Sequence, residues 1–390
     1  MTIYAVLGAG RQGTAAAYDM ARWGNAHRII MADRDIEAAR RAADRVNRMV
    51  GAAIAEPAQV DVTDLAAVEE MLRGVDAALS AVPYVYNLGI TQAAIRARCS
   101  LCDLGGNTAI VRQQHAFQEE ARAAGVSIIP DCGQVPGLGT SLIVYAMEWL
   151  DEAVDIFMWD GGIPQRPRPP FNYLLTFHIA GLTNEYAEPA IFLRDWEIVE
   201  VEPMTEPETV EFPPPIGTLE AFVAGGGTST MPWTFHGRLR TLQNKTLRNP
   251  GHFAQLRAFY DLGLWDTRPI RIGDVEVVPR EVFHALFEPK VTFPGDKDTV
   301  IVRVRAVGKK DGRDAEAVVE LIDHFDEATG FTAMERATGW SAAIVAEMMA
   351  HGLTPRGAGG VETFVPARLF VAEMRRRGLS VTERVTFLNG

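Results

Sequence analysis

The chain has 390 residues, a formal charge of −12, 47% hydrophobic and 23% charged residues, which is room for two domains and a large core of ordinary globular composition. The acidic balance argues against nucleic acid or an anionic membrane surface as a partner, and no apolar run approaches the ~18 residues that span a bilayer. Three cysteines make no disulfide framework and the first strand starts within three residues, so the expected setting is a reducing cytoplasm with no secretory signal.

Residues 4–7 form a short apolar run of strand type, followed by Gly8-x-Gly10-x-x-Gly13 and a small-residue helix over about 12–23 that Gly24 and Asn25 stop. Residues 29–32 are a second buried strand, ended by Asp33. This order is that of a dinucleotide-binding βαβ unit. Gly8 permits the tight turn, Gly10 lets backbone approach a pyrophosphate, and Gly13 lets helix pack close to strand. The N–H groups at the helix start, with Arg11 and Gln12, face the phosphates. Asp33, twenty residues beyond Gly13, is placed to accept from both ribose hydroxyls and to repel a 2′-phosphate. NAD is therefore expected over NADP, a preference that the neighbouring Arg34 softens.

Alternation continues: a helix over 36–50, a strand at 52–56, a helix at 65–73, strands at 76–82, 101–104 and 126–130, and helices at 88–98 and 115–124. Strands alternating with helices of this length imply a parallel, doubly wound sheet, whose ligands sit beyond the carboxyl ends of the strands. Ser80, Pro83, Asp103, Asn107 and Cys132 then share one rim, with Ser80, Val82 and Pro83 expected at the nicotinamide ribose. Past Gly133 a helix over 138–150 gives way to strand-like segments at 154–159, 173–179, 196–201, 219–223 and 300–307. Proline-rich loops span 164–170 and 203–215, and residues 309–312 (KKDG) turn a hairpin into a strand at 315–323. Helices are expected at 332–349 and 366–377. The second region reads as α+β with a mainly antiparallel sheet.

The motifs Gly8 to Gly13, SAVPY (80–84), CDLGGN (102–107), DCG with PG (131–137), KTLRNPGH (245–252) and TAM through TG to AA (332–343) together resemble the saccharopine dehydrogenase-like family, and within it the lysine 6-dehydrogenases. The resemblance implies a Rossmann domain of residues 1–132 completed by 340–390, with an inserted catalytic and oligomerisation domain, 133–339. It implies oxidation of the ε-amine of L-lysine by NAD, giving ammonia and allysine that cyclises to piperideine-6-carboxylate, in a homodimer or homotetramer. Asn249 stands where the motif has an aromatic residue, which bears on substrate shape.

A lysine substrate calls for Arg or Lys at its carboxylate and for a carboxylate at its ammonium. Arg238, Arg240, Lys245 and Arg248 lie in one segment, with His236 and His252 at its ends. The segment offers a carboxylate grip, and His252 a proton carrier near neutral pH; the structural alternative is a solvated basic face. Arg248 and His252 are favoured because they fall in the family motif. Asp103 is a candidate for the ammonium or a proton, or else a cap on the Gly105-Gly106 turn. Tyr84 and Tyr86 are candidate walls for nicotinamide or substrate, or packing aromatics. Cys99-x-x-Cys102 has redox or zinc spacing but no second pair, Cys132 is expected to line the pocket, and the scattered histidines imply no metal. Two other readings keep the fold: an NAD(P)H-dependent reductive condensation of an amine with a carbonyl, and a catalytically silent NAD-binding protein.

Overall fold

The computed structural model describes residues 1–388. A seven-stranded sheet runs in the order Gly357–Ala358, Ser127–Ile129, Ser100–Asp103, Ala77–Ser80, Thr2–Leu7, Ala26–Asp33, Ala55–Gln59, and every pairing in it is parallel. Its central strands read as apolar runs because helices cover both faces: Tyr4, Ala5, Val6 and Leu7 are all fully buried. The helix Arg11–Arg22 packs through Gly13, Ala15, Ala16 and Ala17. Small residues let it approach the strand it follows.

The second sheet has nine strands, and its main path is Glu208–Glu211, Thr218–Val223, Thr241–Arg248, Glu152–Pro164, Asp298–Lys310, Arg313–His324, Val381–Phe387. Ala190–Arg194 pairs with Thr241–Arg248 and with Glu197–Val201. One pairing, Thr241–Arg248 on Glu152–Pro164, is parallel and the rest are antiparallel. The long hairpin turns at Asp311 and Gly312, whose φ of 52° and 71° are both positive, as a two-residue type I′ turn requires. Alternation buries Val300, Val302, Val304 and Ala306 against the helix Gly139–Met147, so the two sheets share one continuous core with the helix Ser341–Ala350.

Several expectations are corrected. Residues 173–179 form an extended loop leading into the helix Ile179–Ala187, because their aromatic side chains pack into a cluster with Phe283, Phe287 and Trp265 rather than onto a neighbouring strand. The helix expected at 115–124 is two helices, Thr108–His115 and Gln118–Ala124. The strand expected at 52–56 lies at Ala55–Gln59. The last strand, Val381–Phe387, joins the second sheet, so residues 381–387 leave the first domain to which the resemblance assigned them. Helices His252–Asp261 and Pro279–Val291 and a hairpin of Ile270–Ile272 with Val275–Val277 were not expected. Among the described residues no helix is long and apolar enough to cross a membrane.

Candidate active site

The glycine turn has the geometry its spacing implies. Gly8 has φ of 102°, and a Cβ on it would lie 2.6 Å from the Ala81 carbonyl oxygen. A Cβ on Gly13 would lie 1.9 Å from the Gly8 carbonyl oxygen, whereas one on Gly10 would meet nothing within 4 Å. Two glycines therefore close the turn, and the third leaves an open approach at the start of a helix that no side chain caps and no acid flanks in its first turn. That end carries partial positive charge from its free N–H groups. Asp33 closes the next strand and accepts from the N–H of Ala9 at 2.9 Å and of Asp35 at 3.0 Å. These residues fit a dinucleotide. Arg11 donates through Nε to Glu335 at 2.7 Å, the Gln12 Oε1 is buried without a partner, and the Arg34 charge reaches the Asp61 carboxylate.

Along the rim the polar groups are spent on one another. Ser80 Oγ donates to Asn87 Oδ1 at 2.8 Å. Tyr84, after Val82 and Pro83, packs against Gly106, where a Cβ would come within 2.8 Å of its ring. Asp103 accepts from the Gly105 N–H at 2.8 Å, the Asp131 N–H at 3.1 Å and Gln114 Nε2 at 2.7 Å. Buried and fully partnered, it braces the rim, which corrects its expected catalytic role. Cys132 is sealed in the core and donates to the Ile129 carbonyl at 3.2 Å, so it lines no pocket. Cys102 is equally buried.

The substrate side is built on Thr241–Arg248. Successive side chains on a strand alternate faces, so Asn244, Thr246 and Arg248 share one face while Lys245 and Leu247 share the other. Lys245 Nζ lies 3.0 Å from the Glu206 carbonyl and 3.5 Å from a Glu208 carboxylate oxygen. Its expected place at the catalytic centre is therefore corrected. Lys245 is buried, whereas Arg238 and Arg240 are exposed, the latter paired with Asp155 at 2.9 Å. The basic segment is not a cluster.

Arg248 is buried and donates through Nε to Tyr186 Oη at 2.7 Å, while Nη2 lies 3.4 Å from Glu185 Oε2. Tyr186 Oη also meets His252 Nε2 at 3.1 Å. Which of the two donates follows the imidazole tautomer, since the tyrosine oxygen has two lone pairs and can accept from both Arg248 and Nε2–H. Burial and the adjacent Arg248 charge hold His252 down at about 3. It stays neutral near neutral pH and orients Tyr186, contrary to the proton-carrying role expected of it. Asn249 donates to the Asn172 carbonyl at 2.9 Å, fixing the loop that carries Tyr173.

Two carboxylates that the sequence reading missed complete the cleft. Glu185, on the helix Ile179–Ala187, has a side chain 36% exposed against 4% for its partner Arg248. Burial of its surroundings raises it to about 7 against the pull of Arg248. Asp160 lies in Glu152–Pro164 opposite Thr246, is buried, and accepts from Gln134 Nε2 at 3.2 Å. Burial raises it to about 6, against the Asn244 amide, the Arg248 charge and the Gln134 amide. Gln134 follows the strand Ser127–Ile129 on the cofactor rim, so this contact ties the rim to the substrate face. The available signal for Asp160 was a lone acid inside the apolar run IFMWDGGI at 156–163. Glu185 carried none.

Residues 4–129 match the family model of the saccharopine dehydrogenase NADP binding domain, and residues 133–379 that of the saccharopine dehydrogenase C-terminal domain. Among solved structures, the chain is similar to apo saccharopine dehydrogenase (L-Glu forming) from Saccharomyces cerevisiae, at 16% identity and a TM-score of 0.79 over 99% of this chain and 100% of that one. It is also similar to homospermidine synthase from Legionella pneumophila in complex with NAD, at 13% identity and a TM-score of 0.65 over 99% of this chain and 91% of that one. At these identities the likeness is one of fold.

Proposed function

This chain belongs to the saccharopine dehydrogenase family of NAD(P)-binding oxidoreductases, and from that premise we propose that it oxidises the ε-amine of L-lysine with NAD. The products are ammonia and allysine, which cyclises to piperideine-6-carboxylate. The observation that carries the reading is a charge count: one guanidinium, Arg248, lies 3.4 Å from the Glu185 carboxylate and close enough to Asp160 to favour its ionised form. Lysine presents the complement, one carboxylate and two ammonium groups.

Arg248 and Glu185 are neighbours, as the α-carboxylate and α-ammonium of an amino acid are. Arg248, locked through Nε on Tyr186, keeps donors for the carboxylate, and Glu185 takes the ammonium as a charge-assisted partner. Asp33 supports NAD over NADP, since its carboxylate would repel a 2′-phosphate. A nicotinamide dinucleotide on the glycine turn would supply the two-electron acceptor for a hydride from the substrate carbon.

The runner-up is a reductive condensation in which the amine joins a carbonyl substrate. A 2-oxo acid partner would add carboxylates, and this cleft offers no second guanidinium for them among the described side chains that converge on it. The test is NADH formation at alkaline pH from purified protein, NAD and a panel of amines. NADH formed with lysine and no keto acid supports lysine oxidation. Turnover that demands an aldehyde or keto acid with NAD(P)H replaces it with condensation, and cofactor binding without any turnover replaces both with a silent binding protein.

A further inference from the structure

Glu185 and Asp160 face different parts of the cleft. Glu185, 36% exposed, pairs with the buried Arg248 at 3.4 Å. Asp160 is held by Gln134, a residue of the cofactor rim, and lies beside Asn244 on the substrate strand. The Gly225–Gly227 loop packs this corner shut: a Cβ on Gly227 would lie 2.0 Å from Asn244 Nδ2 and 3.3 Å from a Val135 methyl. The next loop residue but one, Ser229, donates to Asp131 on the rim. Asp160 is thus bonded both to the rim, through Gln134, and to the substrate strand, through Asn244, whereas the Asp131 carboxylate on the rim is taken by Ser229.

We propose that Asp160 is the group that accepts the proton from the reacting ε-ammonium, with Gln134 and Asn244 as positioning residues that aim its carboxylate. The assignment rests on the lysine reading above. The ε-ammonium gives one proton to Asp160, leaving a neutral amine with a free lone pair. Loss of hydride from the adjacent carbon to the dinucleotide then leaves an iminium cation, and the electrons balance as two leaving the C–H bond. Water adds to the iminium carbon, the C–N bond breaks, and ammonium departs with the aldehyde. The proton on Asp160 is released to solvent, completing the sum of RCH2NH3+ with NAD+ and water giving RCHO, NH4+, NADH and H+. A base must be ionised for this, and the charged groups that face Asp160 act oppositely: Arg248 favours its ionised form and Glu185 opposes it.

The experiment measures kcat and KM for lysine against pH in the wild type, Asp160→Asn and Gln134→Leu, with NADH binding by fluorescence as the check of a folded cofactor site. Asp160→Asn is expected to lose on the order of 10²–10⁴-fold in kcat, the range of a general base, with NADH binding retained. Gln134→Leu removes a hydrogen bond to the ionised carboxylate, so the acid limb of its kcat profile should move to higher pH with activity retained at alkaline pH. Wild-type lysine oxidation with an Asp160→Asn kcat within threefold overturns the role of Asp160 and leaves the lysine reading standing. If Asp160→Asn does not bind NADH, an unmoved acid limb in Gln134→Leu overturns it instead. A wild type that oxidises no amine overturns both.

Discussion

Lys245 and Arg248 sit three residues apart on one strand and point to opposite faces of its sheet. Lys245 meets the Glu206 carbonyl and the carboxylates of Glu206 and Glu208, whereas Arg248 enters the cleft with Tyr186 and Glu185. Lys245→Ala should therefore leave kcat/KM for lysine within about threefold, since its ammonium is held by Glu206 and Glu208 on the face away from Arg248. Arg248→Lys keeps the charge but loses the planar fork. Its loss should be about 10- to 100-fold in kcat/KM, corresponding to about 1.5–3 kcal/mol for a charge-assisted contact. Steady-state kinetics on both variants decide it, and equal losses would remove Arg248 from the site.

Asp33 accepts two backbone N–H groups and ends the strand beside the glycine turn. A ribose bound beside the glycine turn would meet its remaining lone pairs, so Asp33→Ala should weaken NAD binding far more than NADP binding. A shift in the ratio of the two dissociation constants of about tenfold corresponds to about 1.4 kcal/mol. Fluorescence titration with both reduced dinucleotides reads this directly. Parallel losses for the two would mean that Asp33 serves only the Ala9 and Asp35 backbone.

The neutral state of His252 has a thermodynamic consequence. Its folded value near 3 lies below the ordinary imidazole value of 6.5, so the unfolded chain binds the proton first as pH falls. Stability is then lost progressively from about pH 6.5 down toward 3. Replacing His252 with Gln removes that contribution, and the urea midpoint of the variant should fall less steeply over this window than that of the wild type. An imidazole that titrates near 6.5 by NMR in the folded protein would contradict the burial argument.

The cofactor half was legible because each of its parts has a local signature. Gly8, Gly10 and Gly13 are required by backbone conformation or close approach, and Asp33 follows at a fixed distance in the chain. The substrate half is assembled from residues 134, 160, 185, 186, 244, 248 and 252, which converge only after the sheets form. Strand alternation in 241–248, applied more strictly, would have separated Lys245 from Arg248. No local pattern distinguishes Glu185 from the other acids of its stretch, and the aromatic run at 171–177 mimics a strand while packing as a loop. Asp103 misled for the opposite reason: its position at a strand end was right, but its carboxylate is consumed by Gly105, Asp131 and Gln114.

The closing of the first domain by the C-terminal helices rests on a buried ion pair that can be tested apart from catalysis. Arg377, just after the helix Ala367–Arg376, donates through Nε to both oxygens of Asp19 at 3.0 and 2.8 Å, and both side chains are fully buried. Its other nitrogens reach Glu347 at 2.6 Å and Glu373. Asp19 belongs to the helix that opens at the glycine turn, so the contact anchors that helix from behind. Of these three carboxylates, Arg377→Met leaves the fully buried Asp19 without its ion-pair partner while Glu347 and Glu373 keep Arg376, and it should cost about 3–5 kcal/mol, the penalty of uncompensated buried charge. Adding Asp19→Asn relieves the most buried of the three, and the double variant should recover part of the loss. Urea unfolding with unchanged slope measures both steps. A loss below about 1 kcal/mol in Arg377→Met would show that water or rearrangement compensates Asp19 and that the helices dock by apolar packing alone.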